Sequence, residues 1–386
     1  MKGLTITFSL AEQCFDATRS IGLLNLSVGM LESLCRRPEV ERFTLFSNDS
    51  FKNLNLPPFV KIEIHNEANG RGLRRIIWDQ FGVYRAAVRA GNDWLFMPKG
   101  FVSFLKKCPL KLAAYVPDVI HDFYERVYPG EFNRLECKYL KLMLRATLLQ
   151  AKVIFTCSEF TSSELAALSK RWGITPPPLI AIGTGFEPRE KYQGEKPNRL
   201  LVLVSPWKHK RTDLAIDYLK RWADKTGFDG EIDLVGGLPK GFDLPEGKWV
   251  LHQRVPEPQY RKMMARSRAV IIFSEYEGFG MPTVEAVLSG SCPVYSDIPA
   301  SREVMAGMGA AFDNNSYESF ARAMKFALNV SQQQLCQWEK ALLEKHNWKK
   351  GAEKIVNAML NSQSSSTQTN PAKTANSTSS SARSIQ

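Results

Sequence analysis

Residues 269–295 read AVIIFSEYEGFGMPTVEAVLSGSCPVY. The run from Ala269 to Phe273 is short, apolar and rich in β-branched residues, which predicts a buried strand. A glycine-rich loop follows from Glu275 to Gly280, and Pro282 suits the first turn of a helix that begins there. A strand, a glycine-rich loop and a helix in this order are typical of one unit of a doubly wound α/β sheet.

The rest of the chain repeats this alternation of short apolar strands and longer helical patterns, the first helix lying near Ser20–Arg36. The other strands are predicted at Leu4–Phe8, Phe43–Ser47, Val60–His65, Trp94–Met97, Leu112–Val116, Val153–Cys157, Leu179–Ile182, Leu200–Val204, Ile232–Val235, Trp249–Leu251 and Cys292–Tyr295. Such an alternation predicts mainly parallel sheets with helices on both faces, an α/β fold.

A segment rich in proline, glycine and charge, residues 173–197, interrupts the series and is typical of a linker. We therefore expect two doubly wound domains, 1–184 and 185–345, with a cleft between them. Ligands of open α/β sheets bind at the carboxyl ends of the strands, which would face this cleft. The final residues 362–386 are mostly Ser, Thr, Asn, Gln and Ala, and their low hydrophobicity predicts a disordered tail.

The composition excludes several classes of protein. The 386 residues are 44% hydrophobic and 23% charged, which is typical of a globular chain of two to three domains. No apolar stretch approaches the ~18 residues that a membrane span needs, and the first apolar run ends too soon for a signal peptide. The seven cysteines show no paired spacing, so we expect a reducing, cytoplasmic setting without disulfides or a zinc site.

The net charge of +12 is compatible with nucleic acid, anionic lipid or phosphorylated small molecules as partners. The charge is not gathered in one dense run, which weakens the interpretation as a nucleic-acid-binding protein. Residues 71–89 form an amphipathic stretch with five Arg and one Asp. This stretch is either a core helix that buries Ile76, Ile77 and Trp78, or a helix that lies on an anionic membrane surface.

The loop before residue 281 has the chemistry of a binding site. Gly278 and Gly280 allow the backbone to approach a ligand, and the N–H groups of the following helical turn favour an anion such as phosphate. Glu277 and Glu285 flank this anion site, and carboxylates accept hydrogen bonds from vicinal hydroxyls. A phosphate between two such carboxylates describes a nucleotide sugar. The structural alternative is a glycine-rich turn with solvated glutamates.

Within EGFGMPTVEA, residues 277–286, the pattern Glu-x7-Glu resembles the signature of the retaining family-4 glycosyltransferases, especially bacterial mannosyltransferases of polysaccharide and O-antigen synthesis. Ser158-Glu-Phe and the segment from Asn347 to Ile355 also have counterparts in this family. The resemblance implies the GT-B fold, with two Rossmann-like domains facing a deep cleft. It also implies that 1–184 binds the acceptor, that 185–345 binds the nucleotide sugar, and that a helix at 346–361 crosses back to the N-terminal domain.

The resemblance implies a role for each residue of the loop. Glu277 would contact the transferred hexose and act in catalysis, and Glu285 would hold the ribose. Gly278 would let the backbone approach the donor closely. The main-chain amides that would bind the hexose are those of Phe279, Gly280 and Met281. Thr283 would donate to the diphosphate. For Phe279, packing beneath the loop is the alternative to ligand contact.

Positive charge must stabilise the leaving diphosphate. In the family an Arg at the end of the first strand of this domain and a Lys about five positions later do so. Here Ser205 occupies the Arg position and Lys210 fits the Lys, so we expect Lys210, a catalytic residue, and Lys208 to supply the charge. The alternative for both lysines is a solvated helix N-terminus, where clustered positive charge would be unfavourable without an anion.

The family also places a histidine beside the donor sugar. His121, within HDFYERVYP, matches this segment and is the predicted catalytic histidine. A second alignment places Pro117-Asp118 at the same position, and the sequence leaves both open.

The family's activity implies transfer of a hexose, with GDP-mannose the favoured donor, to a glycan or lipid-linked glycan in polysaccharide or lipopolysaccharide synthesis. The acceptor hydroxyl attacks from the face that the nucleotide leaves, and no metal or other cofactor is expected, since the sequence lacks Asp-x-Asp. The acceptor would meet the loop at 11–22. We expect a cytoplasmic enzyme, in possible peripheral contact with the inner face of the membrane.

Three other functions agree with only part of the sequence. Another GT-B enzyme, such as a sugar-nucleotide epimerase or a phosphorylase, shares the fold, but no pyridoxal lysine motif is visible. A basic nucleic-acid-binding protein would need a recognisable motif, which the sequence lacks. A nicotinamide-dependent oxidoreductase is disfavoured because Ser9-Leu-Ala-Glu-Gln, not Gly-x-Gly-x-x-Gly, follows the first strand.

Overall fold

A computed structural model describes residues 3–13, 21–51, 54–69 and 72–364. Part of the predicted disordered tail, 365–386, lies outside these residues, as do residues 14–20 of the loop expected to meet the acceptor. Residues 362–364 belong to the last helix, so the prediction of disorder is wrong for them.

The described strands form two sheets, and every pair of neighbouring strands in them is parallel. The first sheet consists of β1 (Leu4–Ser9), β2 (Val40–Ser47), β3 (Lys61–Ile64), β4 (Trp94–Met97), β5 (Lys111–Val116), β6 (Val153–Thr156) and β7 (Leu179–Ala181). The second sheet consists of β8 (Arg199–Val204), β9 (Glu231–Gly236), β10 (Trp249–His252), β11 (Ala269–Ile272), β12 (Cys292–Ser296) and β13 (Ala310–Phe312).

Both sheets have the doubly wound topology. Their strand orders are β3-β2-β1-β4-β5-β6-β7 and β10-β9-β8-β11-β12-β13. The order therefore reverses between β1 and β4 in the first sheet and between β8 and β11 in the second. A crevice forms at such a reversal, outside the carboxyl ends of the strands. The predicted fold class, two doubly wound Rossmann-like domains, is confirmed.

The helices cover both faces of the sheets. They are α1 (Ile21–Leu34), α2 (Leu73–Ile77), α3 (Val83–Ala90), α4 (Ile120–Val127), α5 (Arg134–Gln150), α6 (Glu159–Arg171), α7 (Thr212–Thr226), α8 (Glu257–Arg266), α9 (Met281–Leu288), α10 (Pro299–Met305), α11 (Tyr317–Leu328), α12 (Gln332–Lys345) and α13 (Trp348–Ser364). A π-helical turn, Trp78–Gly82, joins α2 to α3.

Burial explains why these segments are strands. The central strands β4, β6 and β11 are buried at every position, because helices cover the sheet on both faces. Each predicted strand is present, with ends that differ by up to three residues. Strand β13 was not predicted, because its three residues, Ala310, Ala311 and Phe312, include no β-branched residue.

The last helix leaves the second sheet and packs on the first. Within α13, Ile355, Val356 and Met359 are fully buried, and the helix contacts α1, β1 and β6. Trp348 begins the helix and lies so close to Gly29 on α1 that a Cβ there would overlap its ring. Packing of α13 against α1 thus joins the last described helix to the first sheet.

The stretch 71–89 agrees with only part of the predicted core helix. Trp78 is buried at 3% exposure, whereas Ile76 and Ile77 remain 42% and 51% exposed. The core-helix alternative, in which all three residues are buried, is therefore wrong for the two isoleucines. Leu73, one turn earlier on α2, is exposed as well.

Candidate active site

A cavity of about 790 Å³ lies between the two sheets. The N-terminal half lines it with residues 99–101 after β4 and 116–122 after β5. The C-terminal half lines it with residues 277–282 after β11 and with Glu285 on α9. These loops all leave the carboxyl ends of strands, so the cavity occupies the crevice that the topology creates.

The loop from β11 to α9 turns sharply at Gly280, whose φ is 86°. This left-handed conformation suits glycine, and the helix begins at the next residue with Pro282 in its first turn. Gly278, Phe279, Gly280 and Met281 all line the cavity. The first turn of α9 therefore faces the cavity, as predicted.

Thr283 does not take part as predicted. Its side chain is 1% exposed, and its hydroxyl donates to the Gly280 carbonyl at 2.7 Å. Thr283 is also not among the residues that line the cavity. The hydroxyl completes the turn at the start of α9, so the predicted contact with a diphosphate is wrong.

Glu277 and Lys210 form an ion pair at the cavity. The Lys210 ammonium donates to Glu277 Oε1, and the two side chains are 29% and 15% exposed. Glu277 follows β11 and Lys210 follows β8, which are neighbouring strands. Adjacent parallel strands bring their carboxyl-terminal loops together, so 67 residues of separation in sequence become a direct contact.

Lys208 points elsewhere. It pairs with Glu131 of the N-terminal half, its ammonium lies 5.8 Å from the Tyr128 ring centroid, and its side chain is 54% exposed. Lys208–Lys210 is a 3₁₀ turn, in which residues two apart point to different sides. The prediction that Lys208 supplies charge to the donor site is therefore wrong, because the residue does not line the cavity.

Glu285 is held by an arginine that the sequence analysis missed. Arg189 Nη2 donates to Glu285 Oε1 at 2.7 Å, and their side chains are 8% and 13% exposed. Burial raises the pKa of Glu285, and Arg189 opposes this effect. Arg189 lies in the segment predicted to be a linker. The segment has no periodic pattern that would indicate a buried side chain at this position.

Asp118 and His121 both line the cavity, so the structure retains both candidates. Asp118 Oδ1 accepts from the Ile120 amide at 3.0 Å. Burial raises the pKa of Asp118, and the charges of Glu277 and Lys210 also act on it. Asp118 therefore belongs to the same electrostatic group as the Glu277–Lys210 pair.

His121 lies in the first turn of α4, with its ring centroid 5.0 Å from that of Phe132. Its Nδ1 is buried without a hydrogen-bond partner among the described residues. Burial lowers the pKa of His121, opposed chiefly by Asp118. A neutral imidazole with an unpartnered nitrogen at the cavity suits hydrogen bonding to a ligand hydroxyl.

The two halves touch directly beside the site. Ser158 caps α6 by accepting from Thr161 N at 3.0 Å, and its hydroxyl donates to the Gly278 carbonyl at 2.6 Å. A Cβ on Gly278 would overlap the Pro117 carbonyl oxygen. Only glycine permits this approach, which fixes the loop after β11 against the loop after β5.

Two aromatic contacts complete the surroundings. Phe279 is 5% exposed and its ring meets His346 edge-on at 5.1 Å, so it both packs beneath the loop and lines the cavity. Tyr124 OH lies 2.8 Å from His209 Nδ1 across the cleft. Burial and the neighbouring Lys210 lower the pKa of His209 to about 4, so this imidazole is neutral at pH 7.

Comparison with known sequences agrees with this site. Residues 244–354 match the family Glycosyl transferases group 1, a range that contains Glu277 and Glu285. The O-antigen chain mannosyltransferase RfbU of Salmonella typhimurium is 24% identical over 272 residues, which are 68% of this chain and 73% of the relative. The O-antigen chain mannosyltransferase B of Escherichia coli is 22% identical over 338 residues, 78% of this chain and 85% of that protein.

Solved structures share the fold. A UDP-forming α,α-trehalose-phosphate synthase from Burkholderia xenovorans matches with a TM-score of 0.63 at 10% identity, over 94% of this chain and 99% of the synthase. TarM matches with a TM-score of 0.53 at 16% identity, over 70% of this chain and 54% of TarM, so this chain spans about half of TarM.

Residues 244–354 thus match the glycosyl transferases group 1 family, and the chain is similar to O-antigen mannosyltransferases. The predicted enzyme class, a hexosyltransferase of the GT-B fold, is confirmed. Across the residues that the structure describes, none of the helices has the length and apolar character needed to cross a membrane.

Proposed function

We propose that this glycosyltransferase moves a hexose, with mannose favoured, from a nucleotide diphosphate sugar to a hydroxyl of a glycan or lipid-linked glycan. The relatives are named as O-antigen chain mannosyltransferases, which supports a role in polysaccharide or lipopolysaccharide synthesis and GDP-mannose as the donor. This activity agrees better with the comparisons than the epimerase, phosphorylase, nucleic-acid-binding or oxidoreductase alternatives.

The proposal depends above all on one observation. Two carboxylates, each paired with a cation, flank the first turn of α9 in a single cavity. The amides of that turn favour a phosphate, and the carboxylates accept from hydroxyls on either side of it. This is the sequence of groups in a nucleotide diphosphate sugar: ribose, diphosphate, hexose.

Glu285 is the ribose ligand in this proposal. Arg189 fixes its Oε1 and opposes the rise in the pKa of this carboxyl that burial causes, and Oε2 is used for a ribose hydroxyl. Glu277 accepts from a hexose hydroxyl and stabilises the positive charge that grows on the anomeric carbon. Because Lys210 binds Glu277 at the cavity, its ammonium is placed to share charge with the leaving diphosphate.

The reaction retains configuration at the anomeric carbon. The acceptor oxygen forms its bond to that carbon on the face from which the diphosphate departs, while the bond from the carbon to the phosphate oxygen breaks. The acceptor's proton passes to the departing phosphate. Lys210 and the α9 amides supply the positive charge for this step, so we propose that activity needs no metal ion and continues in EDTA.

We place the enzyme in the cytoplasm, at the inner face of the membrane. Helix α2 exposes the apolar residues Leu73, Ile76 and Ile77 and also carries Arg74 and Arg75, which supports this contact. A lipid-linked acceptor would be found at that surface.

A binding panel of GDP, UDP, ADP and dTDP, each alone and as its sugar conjugate, tests the donor. We expect calorimetry to detect one base only, with GDP favoured. Glu285→Gln should weaken this binding about 10- to 100-fold, the effect of losing a hydrogen bond to a charged group. Glu277→Gln should mainly reduce turnover.

Glu246 is an exposed carboxylate of the same half that does not line the cavity, so Glu246→Gln is the matched control. It should leave binding and turnover unchanged. Parental binding and transfer in both the Glu277 and Glu285 variants would show that the site is assigned wrongly.

A further inference from the structure

Besides Lys210, the loop after β8 lines the cavity with Trp207 and His209. The Trp207 ring packs against Phe132 of the N-terminal half, with the ring centroids 5.4 Å apart. Lys210 shares its charge with Glu277, so this pair brings little net positive charge to a leaving diphosphate. A further hydrogen-bond donor beside Lys210 would stabilise the negative charge that grows there, and His209, its neighbour in the chain, carries one.

His209 is anchored on two sides. The residue is 5% exposed, and its carbonyl accepts from the Glu275 amide at 2.7 Å, which joins it to the loop after β11. Its ring meets that of Tyr124 on α4 edge-on, with the centroids 5.5 Å apart. Its backbone amide donates to the Tyr124 oxygen at 3.4 Å. The imidazole is therefore held between an element of each half.

The contact with Tyr124 determines which ring nitrogen of His209 carries the proton. Burial and the charge of Lys210 lower the pKa of His209 to about 4, so the neutral ring has a single N–H at pH 7. The Tyr124 oxygen accepts from the His209 amide and lies 2.8 Å from Nδ1. If Nδ1 carried the proton, the Tyr124 hydroxyl would have no acceptor among the described residues. The hydroxyl therefore donates to Nδ1, and Nε2 carries the proton.

Nε2 is the ring atom of His209 that remains for a ligand. It has no hydrogen-bond partner among the described residues, whereas Nδ1 is occupied by Tyr124. His209 lines the cavity, and the charges of both Lys210 and Glu277 act on its imidazole. An N–H donor of fixed orientation thus lies beside the ion pair of the donor site.

We propose that His209 is a catalytic residue whose Nε2–H donates a hydrogen bond to the leaving diphosphate. The inference rests on the proposed function and adds a group to it. As the bond between the anomeric carbon and the phosphate oxygen breaks, its electron pair moves to that oxygen, and the N–H stabilises this charge without transferring its proton. Tyr124 is a positioning residue, because it fixes the tautomer of His209.

Two substitutions of similar volume separate this role from packing. His209→Gln keeps an N–H donor near the position of Nε2, whereas His209→Met has none. The assay measures the hydrolysis of GDP-mannose by the full chain, or of the UDP, ADP or dTDP sugar that binds instead. We expect kcat to fall about 10²-fold in His209→Met and less than about tenfold in His209→Gln. A purely structural role predicts equal losses, and equal losses or no loss in His209→Met would overturn the proposal.

Lys208→Met is the matched control. Lys208 lies in the same 3₁₀ turn as His209 but does not line the cavity. Its contact with Glu131 is an exposed ion pair, so kcat should change less than about threefold. A loss in Lys208→Met as large as that in His209→Met would show that the turn is sensitive to any substitution and would overturn the assignment of Nε2.

¹⁵N NMR of the histidine rings tests the proposal on the parent chain, even if His209→Met does not fold. The chain has five histidines, and the signal that His209→Gln removes belongs to His209. We expect a neutral ring with its proton on Nε2 at pH 7, and an Nε2–H signal that shifts on saturation with the nucleoside diphosphate that the chain binds. In Tyr124→Phe, the single tautomer should be lost. A proton on Nδ1 in the parent, or an Nε2–H signal that the nucleotide leaves unchanged, would overturn the proposal.

The failure of this inference is distinguishable from the failure of the proposed function. A parent chain that binds neither the nucleoside diphosphates nor their sugar conjugates contradicts the proposed function itself. A parent that binds and hydrolyses its donor, while His209→Met and His209→Gln respond alike, contradicts only the role of His209.

Discussion

Arg189→Met removes the cation that compensates a buried carboxylate. The Arg189 and Glu285 side chains are 8% and 13% exposed, and their atoms are 2.7 Å apart. Methionine fills much of the same volume, so the main change is electrostatic. Another cation, Arg261, also acts on Glu285, but its side chain is 53% exposed and pairs with Glu257.

Breaking a buried ion pair from one side costs about 3–5 kcal/mol of folding free energy, because the remaining charge is left uncompensated. We expect Arg189→Met to lower the free energy of unfolding by this amount near neutral pH. Removing the exposed Arg261 as a control should cost at most about 1 kcal/mol. Nucleotide affinity should fall as well, since a protonated Glu285 is a weaker acceptor for the ribose.

The loss should depend on pH in a fixed direction. Burial already raises the pKa of Glu285, and removing Arg189 raises it further. A carboxyl whose pKa is higher in the folded chain than in the unfolded chain destabilises the fold as pH rises through that interval. Arg189→Met should therefore be closest to the parent under acidic conditions and furthest from it at alkaline pH.

Urea denaturation of the parent, Arg189→Met and Arg189→Met/Glu285→Gln at two pH values measures this. The double variant carries no uncompensated charge and should recover most of the lost stability. Parental stability of Arg189→Met at alkaline pH, or additive losses in the double variant, would refute the account of a compensated buried pair.

Further outcomes follow from other parts of the site. Lys210→Met should lower kcat about 10²- to 10³-fold, and Lys208→Met should change it less than about threefold, as initial-rate kinetics can show. Burial lowers the pKa values of His209 and His346 to about 4, so the free energy of unfolding should fall as pH drops from about 6.5 to 4. Each His→Asn change should reduce this pH dependence by about 1.4 kcal/mol per pH unit, as denaturant titrations can measure. Gly278→Ala should push the two halves apart and reduce kcat/KM at least about tenfold, while thermal melting shifts little.

Most of the fold was predictable because strands that are buried on both faces of a sheet are continuous apolar runs in the sequence. Strands such as Val153–Thr156 and Ala269–Ile272 are short apolar runs between helical patterns, and this pattern predicts a buried strand. Helix α2 shows the opposite case. The pattern of residues 71–89 indicates an apolar face, but only packing decides which apolar residues are covered, and Ile76 and Ile77 are not.

The site was predictable where topology dictates proximity. Glu277 and Lys210 follow neighbouring strands of one parallel sheet, so their contact follows from the fold. Lys208 differs from Lys210 only in how the short 3₁₀ turn directs its side chain, and the sequence does not show that direction. Thr283 is likewise turned inward by its own hydrogen bond to Gly280.

Arg189 was beyond the reach of sequence patterns. It lies in an irregular segment without periodicity, and its partner is 96 residues away. Nothing local to the segment indicates that its side chain enters a buried site. Only the buried carboxylate on α9 indicates that a cation is required, because an unpaired charge there would be costly.

Glu277 and Lys210 neutralise each other in the cavity, and this limits what can bind there. A diphosphate that accepts hydrogen bonds from Lys210 weakens the neutralisation of the Glu277 charge. The ligand that carries the diphosphate must therefore also supply hydrogen-bond donors to the Glu277 carboxylate. A hexose supplies them through its hydroxyls, whereas a bare nucleoside diphosphate does not. For the proposed donor, we therefore expect the ion pair to favour the intact sugar nucleotide over the spent nucleotide. On the same proposal, we expect the pair to assist release of the nucleotide product, because Lys210 can return to Glu277 once the hexose has left.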